Sequence, residues 1–158
     1  MSYVINFKLI SEFQTIHRRP FEMSAPEILD PNGLRPIVDG EFLSLTATTY
    51  KMKRDGDNNA GTPDPSAAPT FAYFAERGRY EVQALAKGPF LYLGWYEADT
   101  KIMDAGGAAV GDALEVVDID IGGIIRRGLK KATGGYVVGY VTRLPTENNG
   151  WLRFIRNN

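Results

Sequence analysis

Apolar and polar side chains alternate with a period of two along much of this chain, and no segment sustains a 3.6-residue period, so the pattern predicts strands. The clearest case lies in the last third. Tyr136, Val138, Tyr140 and Thr142 alternate with Val137, Gly139, Val141 and Arg143, in a run rich in β-branched and aromatic types. Gly134-Gly135 opens this run and Leu144-Pro145 closes it, because proline has no N–H to give to a ladder. Asn148-Asn149-Gly150 then turns the chain into residues 151–155, whose alternation suits a partner strand. The connection over residues 145–149 fits a hairpin with a longer loop.

The same reading runs upstream. Residues 2–16 alternate as a strand, with Val4, Asn6, Lys8 and Ile10 against Ile5, Phe7 and Leu9. Residues 18–36 hold Pro20, Pro26, Pro31 and Pro36, which fix φ and remove donors, so this segment is expected to run extended. Residues 1–36 read as an arm that packs on a neighbour or along its own body, or else as a long surface loop. Asp39-Gly40 is a turn, and residues 41–52 alternate as one strand. Residues 53–70 (KRDGDNNAGTPDPSAAPT) form a polar loop with little to bury. Residues 71–76 and 80–85 flank Arg77-Gly78-Arg79 as a hairpin, and Lys87-Gly88-Pro89 reads as another turn. Residues 90–96 are the most apolar window and predict one strand covered on both faces, with Gly94 marking a bulge or a close backbone approach. Residues 104–109 are a turn, residues 113–121 a strand, and residues 124–131 a strand or a short helical turn. The count of strands, about eight to ten, fits an all-β fold: a compact β-barrel or β-sandwich with an extended proline-rich N-terminal arm at 1–36 and a β body at 37–158.

Composition changes this picture by exclusion. The net charge of −1 gives no bulk electrostatic case for nucleic acid or an anionic membrane. Cysteine is absent, which removes disulfides, thiolate metal sites and a cysteine nucleophile. The first residues lack the basic and apolar regions of a signal peptide, and no window approaches the ~18 apolar residues of a membrane span.

Candidate chemistry is sparse. His17, the one histidine, stands between Ile16 and Arg18 with no acidic orienter in view, and reads as a surface or interface residue. Asp55-Gly56-Asp57-Asn58-Asn59 begins like a calcium loop but has Ala60 and Ser66 where glycine and a bidentate glutamate are needed. Asp118 and Asp120 share a strand face and read as a solvated rim rather than an acid–base pair. The glycines around residues 106–111 lack the ending and the helix of a phosphate loop. Arg126, Arg127, Lys130 and Lys131 form the one basic cluster, a partner contact or an edge that discourages sheet-to-sheet aggregation. Trp95, Tyr96, Trp151 and Phe154 fit core positions better than stacking platforms. No catalytic, cofactor-binding or metal-binding set emerges, and the chain is expected not to be an enzyme.

The stretch GGYVVGYVTRLPTENNGWLRFIR, with Val38-Asp39-Gly40-Glu41-Phe42 and Gly111-Asp112-Ala113-Leu114 upstream, resembles small capsid decoration (cement) proteins of tailed bacteriophages. The likeness covers residues 36–50 and 105–156. It implies a β-barrel-like or sandwich body bound outside the major capsid protein lattice, as a homo-oligomer (a trimer), with no catalysis and no cofactor. It places the chain in the virion, at the capsid surface, after assembly in the host cytoplasm, with neither membrane nor nucleic acid as partner. The expected contacts are the arm, with Phe7, His17, Arg18, Arg19 and Phe21, and the cluster Arg126, Arg127, Lys130 and Lys131. Deleting residues 1–36 is then expected to leave a folded body that no longer attaches to shells. Two alternatives remain: a binding module for single-stranded nucleic acid or carbohydrate that uses Trp95 or Trp151, and an enzyme built on Asp118 and Asp120.

Overall fold

The computed structural model describes residues 6–12, 17–22, 37–45, 52–53, 70–74, 87–148 and 150–157. Among these residues every regular element is a strand, so no helix is long and apolar enough to cross a membrane. The strands are β1 (Phe7–Glu12), β2 (His17–Glu22), β3 (Phe42–Leu45), β4 (Met52–Lys53), β5 (Thr70–Tyr73), β6 (Lys87–Leu93), β7 (Trp95–Thr100), β8 (Met103–Asp104), β9 (Ala113–Ile121), β10 (Ile124–Lys131), β11 (Gly139–Arg143) and β12 (Leu152–Asn157). They form a seven-stranded sheet in the order β1-β7-β12-β11-β9-β10-β8 and a five-stranded sheet in the order β2-β6-β5-β3-β4. Neither sheet closes into a barrel.

The N-terminal segment enters both sheets. β1 pairs antiparallel with β7 at one edge of the larger sheet, and β2 pairs antiparallel with β6 at one edge of the smaller. The rest of residues 1–36 lies outside the described residues, as do nearly all of the 53–70 loop and the proposed turn at Arg77-Gly78-Arg79. The apolar window at 90–96 is two strands rather than one. The chain passes from β6 in the smaller sheet to β7 in the larger at Gly94, whose φ of 114° is one that a side chain would strain. Lys87-Gly88-Pro89 is strand rather than turn, paired with Glu22, Phe21 and Pro20. Pro20 lies on the edge strand and faces Pro89, which suits two residues that have no N–H to give.

The region 41–52 also differs from its pattern. β3 and β4 are antiparallel, with Leu45 opposite Met52, so the chain reverses inside what reads as one strand. No glycine, proline, asparagine or aspartate in residues 46–51 announces that reversal. By contrast, 113–121, read as a strand, and 124–131, read as a strand or a short helical turn, are the strands β9 and β10. They are joined by Gly122-Gly123 at φ 63° and 84°, the two-residue turn in which both central residues need positive φ. The predicted C-terminal hairpin is β11–β12, but β11 begins at Gly139, not at Tyr136. Residues before it are held elsewhere: Gly135 N–H and the Thr133 hydroxyl donate to Glu115 at 2.6 and 3.0 Å.

Both sheets contribute to one core. Phe42, Ala72 and Leu91 of the smaller sheet are buried with Phe7, Ala98, Leu114, Val116, Leu129, Val141, Leu152 and Phe154 of the larger. Phe154 sits at its centre, with ring centroids of Phe7, Phe42 and Tyr96 at 6.4, 6.1 and 6.2 Å. These are the separations of favourable tilted and edge-to-face pairs. Burial pushes the Tyr96 hydroxyl above its ordinary pKa, against the opposing pull of Arg156.

Candidate partner-binding surface

The expected contact residues divide on burial. Phe7 is 3% exposed and its ring packs on Phe74 at 5.5 Å, so this side chain belongs to the core. His17, Arg18, Arg19 and Phe21 lie in β2, and their side chains are outside the described residues. The basic cluster is split by the pleat of β10 and by its partners. Arg127 is buried and donates from Nη1 to Asp118 Oδ1 at 3.2 Å across the β9–β10 ladder. Arg126 donates from Nη1 to Glu41 Oε2 at 3.1 Å. Lys130 and Lys131 are exposed, paired with Asp104 at 3.7 Å and Asp112 at 2.9 Å. A four-residue basic patch read from sequence is therefore one buried and one largely buried arginine, each with a carboxylate partner, and two surface ion pairs. Exposed pairs of that kind contribute at most about 1 kcal/mol.

Glu41 anchors this region. Its side chain is fully buried, and besides Arg126 its carboxylate accepts from Val38 N–H at 3.0 Å and Arg127 N–H at 3.3 Å. The Arg127 N–H lies on the outer edge of β10, where β8 pairs only with Leu129 and Lys130. Glu41 thus stands in for a missing strand and ties β10 to the turn before β3. Beyond this tie, β9 and β10 project as a ribbon. Among the described residues no third strand pairs with 116–121 or 124–128, and Ile121 and Ile125 are exposed near the tip. Asp120 Oδ1 accepts from Gly123 N–H at 2.7 Å and so stabilises the turn. Asp118 and Asp120 therefore have structural partners, Arg127 and the tip backbone.

The face of the larger sheet turned away from the core carries a second set, absent from the sequence-based expectations. Along β7, Tyr96, Ala98 and Thr100 are buried, so Trp95, Glu97, Asp99 and the following Lys101 point the other way. Asp99 is gripped by Arg153, through Nε at 2.7 Å and Nη2 at 3.0 Å, and by Arg143 Nη2 at 3.3 Å. That fork holds the Arg153 guanidinium above its ordinary pKa. Glu97 accepts from the Thr142 and Ser11 hydroxyls at 3.1 and 3.4 Å. Beside these groups, the ammoniums of Lys8 and Lys101 stand 4.3 and 4.8 Å from the centroid of the Trp151 ring. Trp95, Ile10 and Tyr140 are exposed on the same face. Of the four aromatics expected in the core, Tyr96 and Phe154 are there, whereas Trp95 is 43% exposed and Trp151 half-buried. Among the described residues, no group of three or more histidines, cysteines or carboxylates is placed to hold a metal ion.

Comparison with protein families, curated proteins and solved structures finds no match to this chain.

Proposed function

We propose that the chain is a virion structural protein, a cement or decoration protein that binds the outside of a tailed phage's major capsid protein lattice and stabilises the shell. In this reading the two sheets stack as a sandwich, and residues 1–36 are an arm of which β1 and β2 lie along the body. The protein works as a homo-oligomer, a trimer, at the capsid surface, and its task is adhesion rather than catalysis. The observation that carries the reading is the outward face of the seven-stranded sheet. There Trp95, Ile10 and Tyr140 are exposed beside Lys8, Lys101, Arg143 and Arg153, a mixed apolar and cationic surface on a rigid element. The unflanked β9–β10 ribbon supports it further, because free strand edges add to a partner through main-chain hydrogen bonds. The sequence likeness to decoration proteins supplies the partner.

The test is pelleting of the purified chain with phage shells that lack it. Saturable co-sedimentation at a fixed ratio to the major capsid protein is expected; a chain that stays in the supernatant at micromolar concentration rules the reading out. Removing residues 1–36 is a poor test, since it deletes an edge strand from each sheet and the buried ring of Phe7. A second reading, a module for single-stranded nucleic acid or glycans, draws on the exposure of Trp95 and the partial exposure of Trp151. Tryptophan fluorescence unmoved by a panel of oligonucleotides and glycans would remove it.

A further inference from the structure

We infer that Lys8, Lys101 and Trp151 form a docking site for an acidic segment of a protein partner. The inference starts from how the three residues meet. Lys101 and Trp151 lie one residue beyond the Leu152–Thr100 pair of the β12–β7 ladder. Lys8 sits opposite Asp99 on β1, one residue back along β7. The pleat turns all three side chains to the outward face, where two ammonium groups share one indole. Both lysines are exposed, and neither has a carboxylate partner among the described residues. Asp99, the acid opposite Lys8, is instead held by Arg143 and Arg153. Lys130 and Lys131, by contrast, each have an aspartate.

This arrangement has a specific chemistry. The indole draws each cation to its ring and fixes two flexible side chains in one place. The two charges held at one ring have no carboxylate to compensate them among the described residues, and carboxylates supplied from outside can do so. An acidic peptide segment supplies carboxylates at strand or loop spacing, and Trp95, Ile10 and Tyr140 on the same face offer it apolar contact. A polyphosphate chain is a poorer match, because it repeats its charge along its length, whereas Lys8 and Lys101 stand alone as cations without a carboxylate among the described residues and the neighbouring Arg143 and Arg153 are already paired with Asp99. Under the function proposed above, the acidic segment belongs to the major capsid protein; that assignment rests on the proposal, whereas the site itself does not.

Poly-L-glutamate is the probe, with Trp95→Phe as background so that Trp151 alone reports. Titration is expected to shift Trp151 fluorescence saturably, with an apparent affinity that weakens as salt rises. Lys8→Gln with Lys101→Gln is expected to weaken it at least tenfold, whereas Lys130→Gln with Lys131→Gln leaves it within twofold. These side chains lie at the surface, so a retained single cooperative urea transition confirms that the variants fold. Equal losses in the two double variants, no fluorescence response, or tighter binding of oligothymidylate than of poly-glutamate would each overturn the site. Shell pelleting then separates the two claims. A chain that binds poly-glutamate through Lys8 and Lys101 but does not pellet with shells keeps the site and loses the capsid reading. A chain that pellets equally well with Lys8→Gln and Lys101→Gln loses the assignment of the site to the capsid contact.

Discussion

Replacing Glu41 with alanine removes the acceptor of three hydrogen bonds at once, from Val38 N–H, Arg127 N–H and Arg126 Nη1. The carboxylate is fully buried and Arg126 nearly so, at 12% side-chain exposure, so water replaces little of what is lost. Truncating one partner of a buried pair costs about 3–5 kcal/mol. Two of the contacts, at 3.1 and 3.3 Å, are longer than ideal, which favours the lower half of that range. With roughly 2–4 °C of melting temperature per kcal/mol for a chain of this size, the expected loss is about 6–16 °C. Urea unfolding followed by tryptophan fluorescence gives the free energy directly. Glu41→Gln keeps an acceptor oxygen and is expected to fall between wild type and Glu41→Ala. In a double-mutant cycle with Arg126→Met, a coupling of at least ~1 kcal/mol is expected. A Glu41→Ala loss under about 1 kcal/mol would show that the carboxylate does not tether β10, and the account of how the ribbon is held would fail.

Three further outcomes follow from the same geometry. Phe154→Ala removes the ring that touches Phe7, Phe42 and Tyr96 and is expected to cost about 3–5 kcal/mol; two separate unfolding transitions in the wild type would refute a core shared by both sheets. Gly128→Ala drives a Cβ into the backbone carbonyl of Ile102, which accepts from Leu129 N–H at 3.0 Å and has little room to yield, so a loss of about 1–3 kcal/mol is expected and a neutral urea midpoint would contradict it. Burial alone would raise the Glu115 carboxyl, but hydrogen bonds from Gly135 N–H, the Thr133 hydroxyl and the Thr133 and Gly134 N–H groups hold it below the ordinary range. Its stabilisation is therefore complete above the unfolded carboxylate pKa, about 4.3, and is lost as pH falls from there through the lower native value. Asp112 acts in the same direction through Lys131 and Ala109 N–H. Urea midpoints from pH 6 down to pH 3 are expected to fall less steeply in Glu115→Gln than in wild type, and parallel profiles would count against the assignment.

How much of this was legible in the chain depends on whether the signal was local. The β9–β10 pair was legible in part: 113–121 reads as a strand, but 124–131, with four charged residues in eight, reads as a strand or a short helical turn until its pairing across Gly122-Gly123 is seen. The C-terminal hairpin was legible, apart from its start, which a tertiary contact to Glu115 delays. The sheet switch at Gly94 was half legible: the glycine stood out, but the division of one apolar run between two sheets depends on partners far away in the chain. The reversal between β3 and β4 was not, because Thr, Ala, Tyr and Lys give no turn signal. The basic cluster misled because adjacent residues on a strand face opposite ways and carboxylates from other strands pair with them. The outward set was invisible for the complementary reason. Lys8, Lys101 and Trp151 are far apart in sequence, and only the pairing of β1, β7 and β12 brings them together.

Adhesion to a phage shell is the claim on which the functional account stands. Its most direct measurement is a quantitative mass-spectrometric inventory of gradient-purified particles released from cells that carry this gene. The account predicts the chain in intact particles at a constant ratio to the major capsid protein, retained through repeated banding. Particles that carry the full set of head and tail proteins but no trace of this chain would contradict it.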